Sequence, residues 1–316
     1  MKIHHNITEL IGKTPLVELH HYGKKHHLKS RIIAKLEYLN PAGSIKDRAA
    51  LNMINEAEKS GKLKKGDTIV DVTSGNTGIA LAAVAAAKGY ATKFYVSDNI
   101  SADKIKLLKL YGAEVVAVEN AFFMDPEALE KMAARIVSEN PDAFFIDQLA
   151  NPDNPKVHIV STGPEIWEDT DGQVDILVCA MGTGGTVSGT GKYLKSKNPK
   201  IKVVIAEPAE TSLPSEENPY PDEIDGVHKV SEVPPESLPK NYASEVVDEI
   251  FSLDTADALN VQRDLLTTEG IFPGVSAAAI LWTATRLAER EENKGKMIVA
   301  IFPDSGERYL SAATKN

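Results

Sequence analysis

The stretch Thr68-Ile69-Val70-Asp71-Val72-Thr73-Ser74-Gly75-Asn76-Thr77-Gly78-Ile79-Ala80-Leu81-Ala82-Ala83-Val84-Ala85-Ala86-Ala87-Lys88-Gly89 decides the fold. Its first five residues form a short apolar run that predicts a strand over Thr68–Val72. The alanine-rich run that follows predicts a helix over Thr77–Lys88, closed by Gly89. The six residues Thr73–Gly78 bring three hydroxyls, one amide and two glycines to the end of the strand. Such a loop turns backbone N–H groups toward an anion, and a carboxylate is a natural guest; an ordinary turn of small residues is the alternative.

Similar units recur in both directions. Strands are expected over Arg31–Glu37, Thr92–Val96, Glu114–Val118, Phe144–Asp147, Ile176–Met181, Lys202–Ala206 and Met297–Phe302. Helix-length periodic segments cover Asp47–Ser60, Ala102–Tyr111, Pro126–Glu139, Thr255–Thr268 and Val275–Glu292. This alternation predicts an α/β protein whose mostly parallel sheet is covered by helices on both faces. Gly61 and Gly112, like Gly89, follow helical runs as C-terminal caps, and Ser101 precedes a helix as a hydroxyl cap. Residues 207–239 hold seven prolines and cannot run as one helix, so a long surface excursion is expected there. A division near residue 150 gives each half its own sheet, with the active site expected between them.

Composition narrows the function classes. The chain has 316 residues, 42% of them hydrophobic and 25% charged, which is ordinary for a soluble protein of two domains or one extended one. A net charge of −10 without a basic stripe argues against a nucleic-acid surface. The single cysteine, Cys179, excludes an internal disulfide framework and reads as a packed strand residue. No apolar leader follows Met1-Lys2-Ile3-His4-His5, and Ile79–Ala87 is too short to span a bilayer, so a cytoplasmic enzyme with no membrane role is expected. Six of the eight histidines precede residue 28, as the pairs His4-His5, His20-His21 and His26-His27. Adjacent side chains diverge and chelate a metal poorly, so no metal site is expected.

Three further segments could carry chemistry. In Asn40-Pro41-Ala42-Gly43-Ser44-Ile45-Lys46-Asp47-Arg48, proline and glycine shape a turn and Ser44 caps the following helix. Lys46 then projects from the first helical turn, where nearby N–H groups disfavour an extra ammonium charge and suit an amine that attacks an aldehyde; a surface lysine is the alternative. Met181-Gly182-Thr183-Gly184-Gly185-Thr186-Val187-Ser188-Gly189 fails the dinucleotide glycine pattern, because the third required glycine falls at Val187. A compact glycine–threonine nest of this kind suits one monophosphate. Phe302-Pro303-Asp304-Ser305-Gly306-Glu307-Arg308-Tyr309 closes the last strand, and by position alone it reads as a plain cap.

Taken together, these segments resemble the pyridoxal-phosphate enzymes of the cysteine synthase and cystathionine β-synthase family, the fold type II or tryptophan synthase β-like group. The resemblance runs from Ile11-Gly12-Lys13-Thr14-Pro15-Leu16-Val17 to Ser305-Gly306-Glu307-Arg308-Tyr309-Leu310-Ser311. It implies two open twisted sheets, a smaller mobile domain of residues 1–12 and 40–150, and a larger one of residues 13–39 and 151–316. It further implies pyridoxal 5′-phosphate held by a Schiff base to Lys46, which also shuttles the α-proton. Asn76 is then expected at the cofactor's 3-hydroxyl, Gly182, Thr183, Gly184, Gly185 and Thr186 at its phosphate, and Ser305 at the pyridine nitrogen. Thr73, Ser74, Gly75, Thr77, Gln148 and Gly226 are expected around the amino-acid substrate. A serine at the ring nitrogen makes the ring a weaker electron sink than a carboxylate would, which favours prompt loss of a β-leaving group.

The implied reaction joins O-acetyl-L-serine and sulfide through an aminoacrylate to give L-cysteine and acetate. The open alternatives are condensation of serine or an activated serine with homocysteine, an O-phosphoserine-dependent cysteine synthase, and a catalytically inactive regulatory or interaction protein. A homodimer and docking of a serine acetyltransferase tail are implied partners. The chain departs from the family pattern at Gly226-Val227-His228-Lys229-Val230, at Ser276-Ala277-Ala278-Ala279-Ile280 and at Tyr95-Val96-Ser97-Asp98-Asn99. Lys229 or His228 would suit a phosphorylated donor.

Overall fold

The computed structural model describes residues 3–73, 75–98, 100–118, 126–215, 218 and 221–310. Its strands are β1 (Leu16–Glu18), β2 (Arg31–Leu36), β3 (Thr68–Val72), β4 (Ala91–Ser97), β5 (Glu114–Val118), β6 (Ala143–Phe145), β7 (Ile176–Ala180), β8 (Lys202–Pro208), β9 (Glu249–Leu253) and β10 (Met297–Phe302). Its α-helices are α1 (His20–Lys25), α2 (Lys46–Lys59), α3 (Asn76–Lys88), α4 (Ala102–Leu110), α5 (Pro126–Glu139), α6 (Asp153–Val157), α7 (Gly163–Asp169), α8 (Gly185–Lys197), α9 (Thr255–Glu269) and α10 (Val275–Glu289). The chain divides into unit 1, Met1–Ile11 with Asn40–Asn154, and unit 2, Gly12–Leu39 with Pro155–Asn316.

Unit 1 is built on a four-stranded sheet of order β5-β4-β3-β6, parallel throughout. Parallel strands need crossover helices, and those helices bury both faces of the sheet. That is why β3 carries Ile69 and Val70 at zero exposure on successive, opposite-facing positions. Val70, Val72, Tyr95, Met132 and Ile136 pack into one core cluster. Helix α2 buries Ala49, Ala50, Met53, Ile54 and Ala57, the spacing of one helical face. Helix α3 buries eight of its thirteen residues, which explains its nearly uniform apolar sequence. Its left-handed C-cap is Gly89, while Gly61 and Gly112 sit one residue past their helix caps with positive φ. The Ser101 side chain accepts from the Lys104 N–H, as a cap should.

Unit 2 holds a six-stranded sheet of order β1-β2-β10-β7-β8-β9. It is parallel except at β1, which pairs antiparallel with β2. Ala34, Val178, Val204, Ala206, Ile298, Ala300 and Phe302 meet Ala277, Ala278, Ile280 and Leu281 of α10 in a single core cluster. Cys179 is buried in β7, and burial pushes its thiol pKa far up, as befits a packing residue.

Both edge strands of unit 2 lie outside the sequence expectations. β1 has only three residues, and β9 is mostly half-buried with one exposed serine, so neither shows a sustained apolar run. The strand expected to reach Asp147 ends at Phe145 because Asp147 takes a positive φ of 54° and turns the chain. Helix α10 stops at Glu289 and a 3-10 turn covers Glu291–Asn293. Between α6 and α7 a single π turn, His158–Thr162, widens the helix. Among the described residues no helix is long and apolar enough to cross a membrane.

Candidate active site

Strand order locates the functional loops. In unit 1 the chain leaves β3 for β4 and β5 on one side, then returns to place β6 on the other. In unit 2 it leaves β7 for β8 and β9, then returns with β10 on the opposite edge of β7. Each reversal opens a crevice at the carboxyl ends of neighbouring strands, where α/β sheets bind ligands. The loop after β3 is Thr73–Gly78 and the turn after β6 holds Gln148. The loop after β7 is Gly182–Gly185, and Ser305 follows β10.

In unit 1 the turn before α2 is held by local contacts. Gly43 takes a φ of 81°, and its N–H donates to the Asn40 carbonyl at 2.8 Å. The Asp47 carboxylate accepts from the Ala42 N–H at 2.6 Å, and Ser44 Oγ accepts from the Lys46 N–H at 3.3 Å. Helix α2 therefore starts at Lys46 itself, which is half-buried, while the next two residues, Asp47 and Arg48, are buried. Lys46 thus stands on the first turn of a helix, followed by two buried charged residues.

The loop after β3 uses its own first hydroxyl. Thr73, 1% exposed, accepts from the Gly78 N–H at 3.0 Å and from the Gly75 N–H at 3.4 Å, satisfying donors that open α3. A Cβ at Gly78 would fall 2.5 Å from Thr73 Cγ2, so glycine is required there. Asn76 begins α3 half-buried and Thr77 is 5% exposed. Ser74 lies outside the described residues. Gln148 joins this loop from the neighbouring strand by donating from Nε2 to the Val72 carbonyl at 2.9 Å.

Two residues near this loop carry no sequence expectation. The Lys104 side chain, 8% exposed, lies over Gly75, where an added Cβ would come 3.3 Å from its Nζ. Asp71, 1% exposed, has its pKa raised well above the ordinary carboxyl range by burial. Hydrogen bonds from the Val72, Gln148 and Asp147 N–H groups oppose that rise, and the Asp147 carboxylate adds to it. A lone carboxylate inside an apolar strand is a signal for Asp71. Lys104, in an ordinary lysine-rich helical run, offers none.

In unit 2, Gly184 caps α8 with a φ of 81° and no side-chain capping bond. A Cβ there would lie 2.8 Å from Tyr242 Cα, so the loop backbone is pressed against residue 242 and only glycine fits. Thr183 is buried, Gly182 and Thr186 are half-exposed, and Gly185 is the first helical residue. Ser305 bridges Pro273, and the Gly306 N–H donates to the Phe272 carbonyl at 2.9 Å, which fixes the turn after β10.

Gly226 is exposed with a φ of 72°. Two residues on, the His228 N–H donates to the Met181 carbonyl at 2.8 Å and ties this segment to the start of the glycine loop. The Lys229 ammonium binds Glu210 and lies 3.5 Å from Glu232. Glu207 anchors the same segment, accepting from the Val230 N–H at 2.7 Å, the Ser231 N–H at 2.9 Å, the Ser231 hydroxyl and the Ser252 hydroxyl at 2.8 Å. The segment Ser276–Ile280 lies inside α10 with every residue buried, so its alanines serve helix packing.

The donor set at residues 182–186 fits a phosphate. A glycine-capped helix start, two threonine hydroxyls and no acidic side chain match an anion that brings acceptors only. Lys46 carries a primary amine of the kind an aldehyde cofactor would require.

Comparison with known proteins points the same way. The family model for pyridoxal-phosphate dependent enzymes matches residues 7–304. Cysteine synthase A of Escherichia coli is 41% identical over 315 residues, spanning 99% of this chain and 95% of that protein. The crystal structure of cysteine synthase from Entamoeba histolytica superposes with a TM-score of 0.87 at 40% identity, covering 98% of this chain and 90% of that one. The structure of an O-ureido-L-serine synthase gives a TM-score of 0.86 at 36% identity, with 98% and 94% coverage.

Proposed function

Because the chain belongs to the pyridoxal-phosphate dependent enzymes, we propose that it runs a β-replacement of the cysteine synthase type, converting O-acetyl-L-serine and sulfide to L-cysteine and acetate. The observation that carries this reading is the pairing in unit 2 of an acid-free glycine nest after β7 with Ser305 after the adjacent β10. A hydroxyl beside the nest is suited to a ring nitrogen that stays unprotonated. When bound, pyridoxal phosphate supplies the electron sink for a carbanion at the substrate's α-carbon.

The chain's own residues do the rest. Lys46 would hold the cofactor through Nζ and, as a free amine, would take the α-proton of the substrate. Thr77, Gln148 and the N–H groups at the start of α3 hold the substrate carboxylate, and the Lys104 ammonium adds positive charge beside Gly75. Acetate leaves with the C–O bonding pair, sulfide forms the C–S bond, and the Lys46 ammonium returns its proton to the α-carbon. Acetate leaves without a second general acid. The two carboxylates that hold Lys229 compensate its charge, which supports an acetylated donor over a phosphorylated one.

The test offers O-acetylserine, O-phosphoserine and serine separately to the cofactor-loaded protein, then sulfide or homocysteine, and measures cysteine and acetate. Fastest, stoichiometric release of both from O-acetylserine and sulfide is expected. A protein that binds no pyridoxal phosphate, or that makes no cysteine from this pair, would sink the reading.

A further inference from the structure

Resting on the phosphate-loop reading of residues 182–186, we propose that Thr162 and His158 form a hydroxyl–imidazole relay that aims the Thr186 hydroxyl proton at the cofactor phosphate. His158 is then a positioning residue. The residue is 2% exposed, with Nδ1 2.9 Å from Thr162 Oγ1 and Nε2 3.3 Å from Thr186 Oγ1.

The packing that brings the ring there is specific. Gly189 follows Thr186 by three residues and so shares its face of α8. A Cβ at Gly189 would lie 2.2 Å from the Pro155 carbonyl oxygen and 2.8 Å from His158 Cβ. On the opposing segment, a Cβ at Gly163 would lie 2.7 Å from Tyr193 Cβ. Two helix glycines thus allow the close approach that puts the imidazole against the first turn of α8, although each costs about 1 kcal/mol relative to alanine in a helix. The π turn His158–Thr162 carries both relay residues. Within it, Ser161 donates to the Val157 carbonyl at 2.7 Å in the usual helical back-bond, whereas the Thr162 hydroxyl meets the ring.

Direction follows from proton counting. A neutral imidazole has one N–H and one acceptor nitrogen. With the proton on Nδ1, Nε2 accepts, and Thr186 spends its only hydroxyl proton on the ring while turning lone pairs to the anion. With the proton on Nε2, the ring donates to Thr186 Oγ1 and leaves that hydroxyl's proton for a phosphate oxygen. Nδ1 then needs a donor, and Thr162 supplies it. A phosphate brings acceptors only, so it selects the second arrangement, in which the Thr162 hydroxyl donates to Nδ1.

The full chain, stripped of cofactor, is titrated with pyridoxal phosphate and separately with pyridoxal, which lacks the phosphate. Thr162→Val and His158→Asn are expected to weaken pyridoxal phosphate about tenfold, the scale of one charge-assisted hydrogen bond, and to leave pyridoxal within about twofold. His158→Gln, whose amide N–H stands in for Nε2–H, should retain most of the affinity, and Thr162→Val should add nothing in a Thr186→Val background. On the loaded protein, the ³¹P resonance should shift in Thr162→Val and Thr186→Val alike. Equal losses for both ligands would reduce the relay to a structural role, and an unchanged Thr162→Val would overturn it. If Thr162→Val does not fold, the His158→Gln and His158→Asn pair decides, with equal affinities overturning the relay. A wild-type chain that binds pyridoxal as tightly as its phosphate would instead overturn the phosphate-loop reading.

Discussion

The loops after β3 and β7 are built on one plan, a buried parallel strand running through glycines and hydroxyls into a helix, yet they treat their hydroxyls oppositely. In unit 1 Thr73 turns its oxygen inward and caps its own helix, accepting from Gly75 and Gly78. In unit 2 the N-cap of α8 is Gly184 in the left-handed conformation, and Thr186 receives a partner from outside the loop, His158. A loop that satisfies part of its own backbone leaves side chains such as Thr77 and Gln148 to select a ligand. A glycine-capped helix start suits a simpler anion. Under the proposed function, the same secondary-structure join would serve amino-acid selection in one unit and phosphate anchoring in the other.

Lys46→Ala should separate the two roles most sharply. Turnover is expected to fall by about 10³-fold, within the range for loss of a positioned acid–base group. Phosphate-dependent cofactor affinity, proposed above for unit 2, should persist. Borohydride treatment followed by mass spectrometry should show a fixed cofactor adduct in the wild type and none in the variant. An adduct on another lysine would break the assignment.

Glycine substitutions should come next in size. Gly184→Ala forces a side chain into the left-handed region, which costs about 1–2 kcal/mol, and drives a Cβ to 2.8 Å from Tyr242 Cα. Cofactor affinity should drop at least about tenfold, with a lower melting temperature. Gly75→Ala meets only the flexible end of Lys104 and has an extended φ of 176°. Its melting temperature should barely change, and any effect should fall on KM for the amino acid. Equal losses of cofactor affinity in both variants would erase the contrast between the loops.

Thr73→Val keeps the shape against Gly78 but leaves buried N–H groups without their acceptor. A loss of about 1–3 kcal/mol is expected by denaturant unfolding, recovered in Thr73→Ser. If Thr73→Val is as stable as the wild type, the Thr73 hydroxyl does not cap α3.

Much of this was legible in the chain. Thr68–Val72, Glu114–Val118, Met297–Phe302 and Pro126–Glu139 have the bounds expected, because each is an apolar run or periodic helix bracketed by strong breakers. β1 and β9 were not, since edge strands are short or half-exposed and need only a neighbour's backbone to form. The candidate site residues adjacent to glycines stood out in the sequence. Residues acting from a neighbouring element did not: Lys104 reaches Gly75 from another helix, and His158 reaches Thr186 only because Gly189 and the π turn bring two helices close. No local pattern encodes such an approach, although His158 and His228 were the two histidines outside the N-terminal pairs.

The smallest effects should come from two buried carboxyls that extend the contrast between units. Burial acts to raise the Glu207 pKa, but donors from Ser231, Val230 and Ser252 outweigh it, so this carboxyl titrates below its ordinary value. Its contribution to stability is therefore present above the unfolded value of about 4.3 and is lost as pH falls through the folded one. Asp71 is shifted the other way, because burial outweighs its three backbone donors and the Asp147 carboxylate opposes ionisation. Its contribution is full below about pH 3.9 and is lost as pH rises through the folded value. Unfolding measured against pH should accordingly show Glu207→Gln removing part of the acid-side decline. Asp71→Asn, isosteric with the protonated acid, should leave acid stability nearly unchanged and flatten the decline toward higher pH. Should Asp71→Asn lose stability mainly near neutral pH, Asp71 is ionised in the folded chain. The turn carrying Gln148 is then held by a charge, as Glu207 holds Val230 and Ser231.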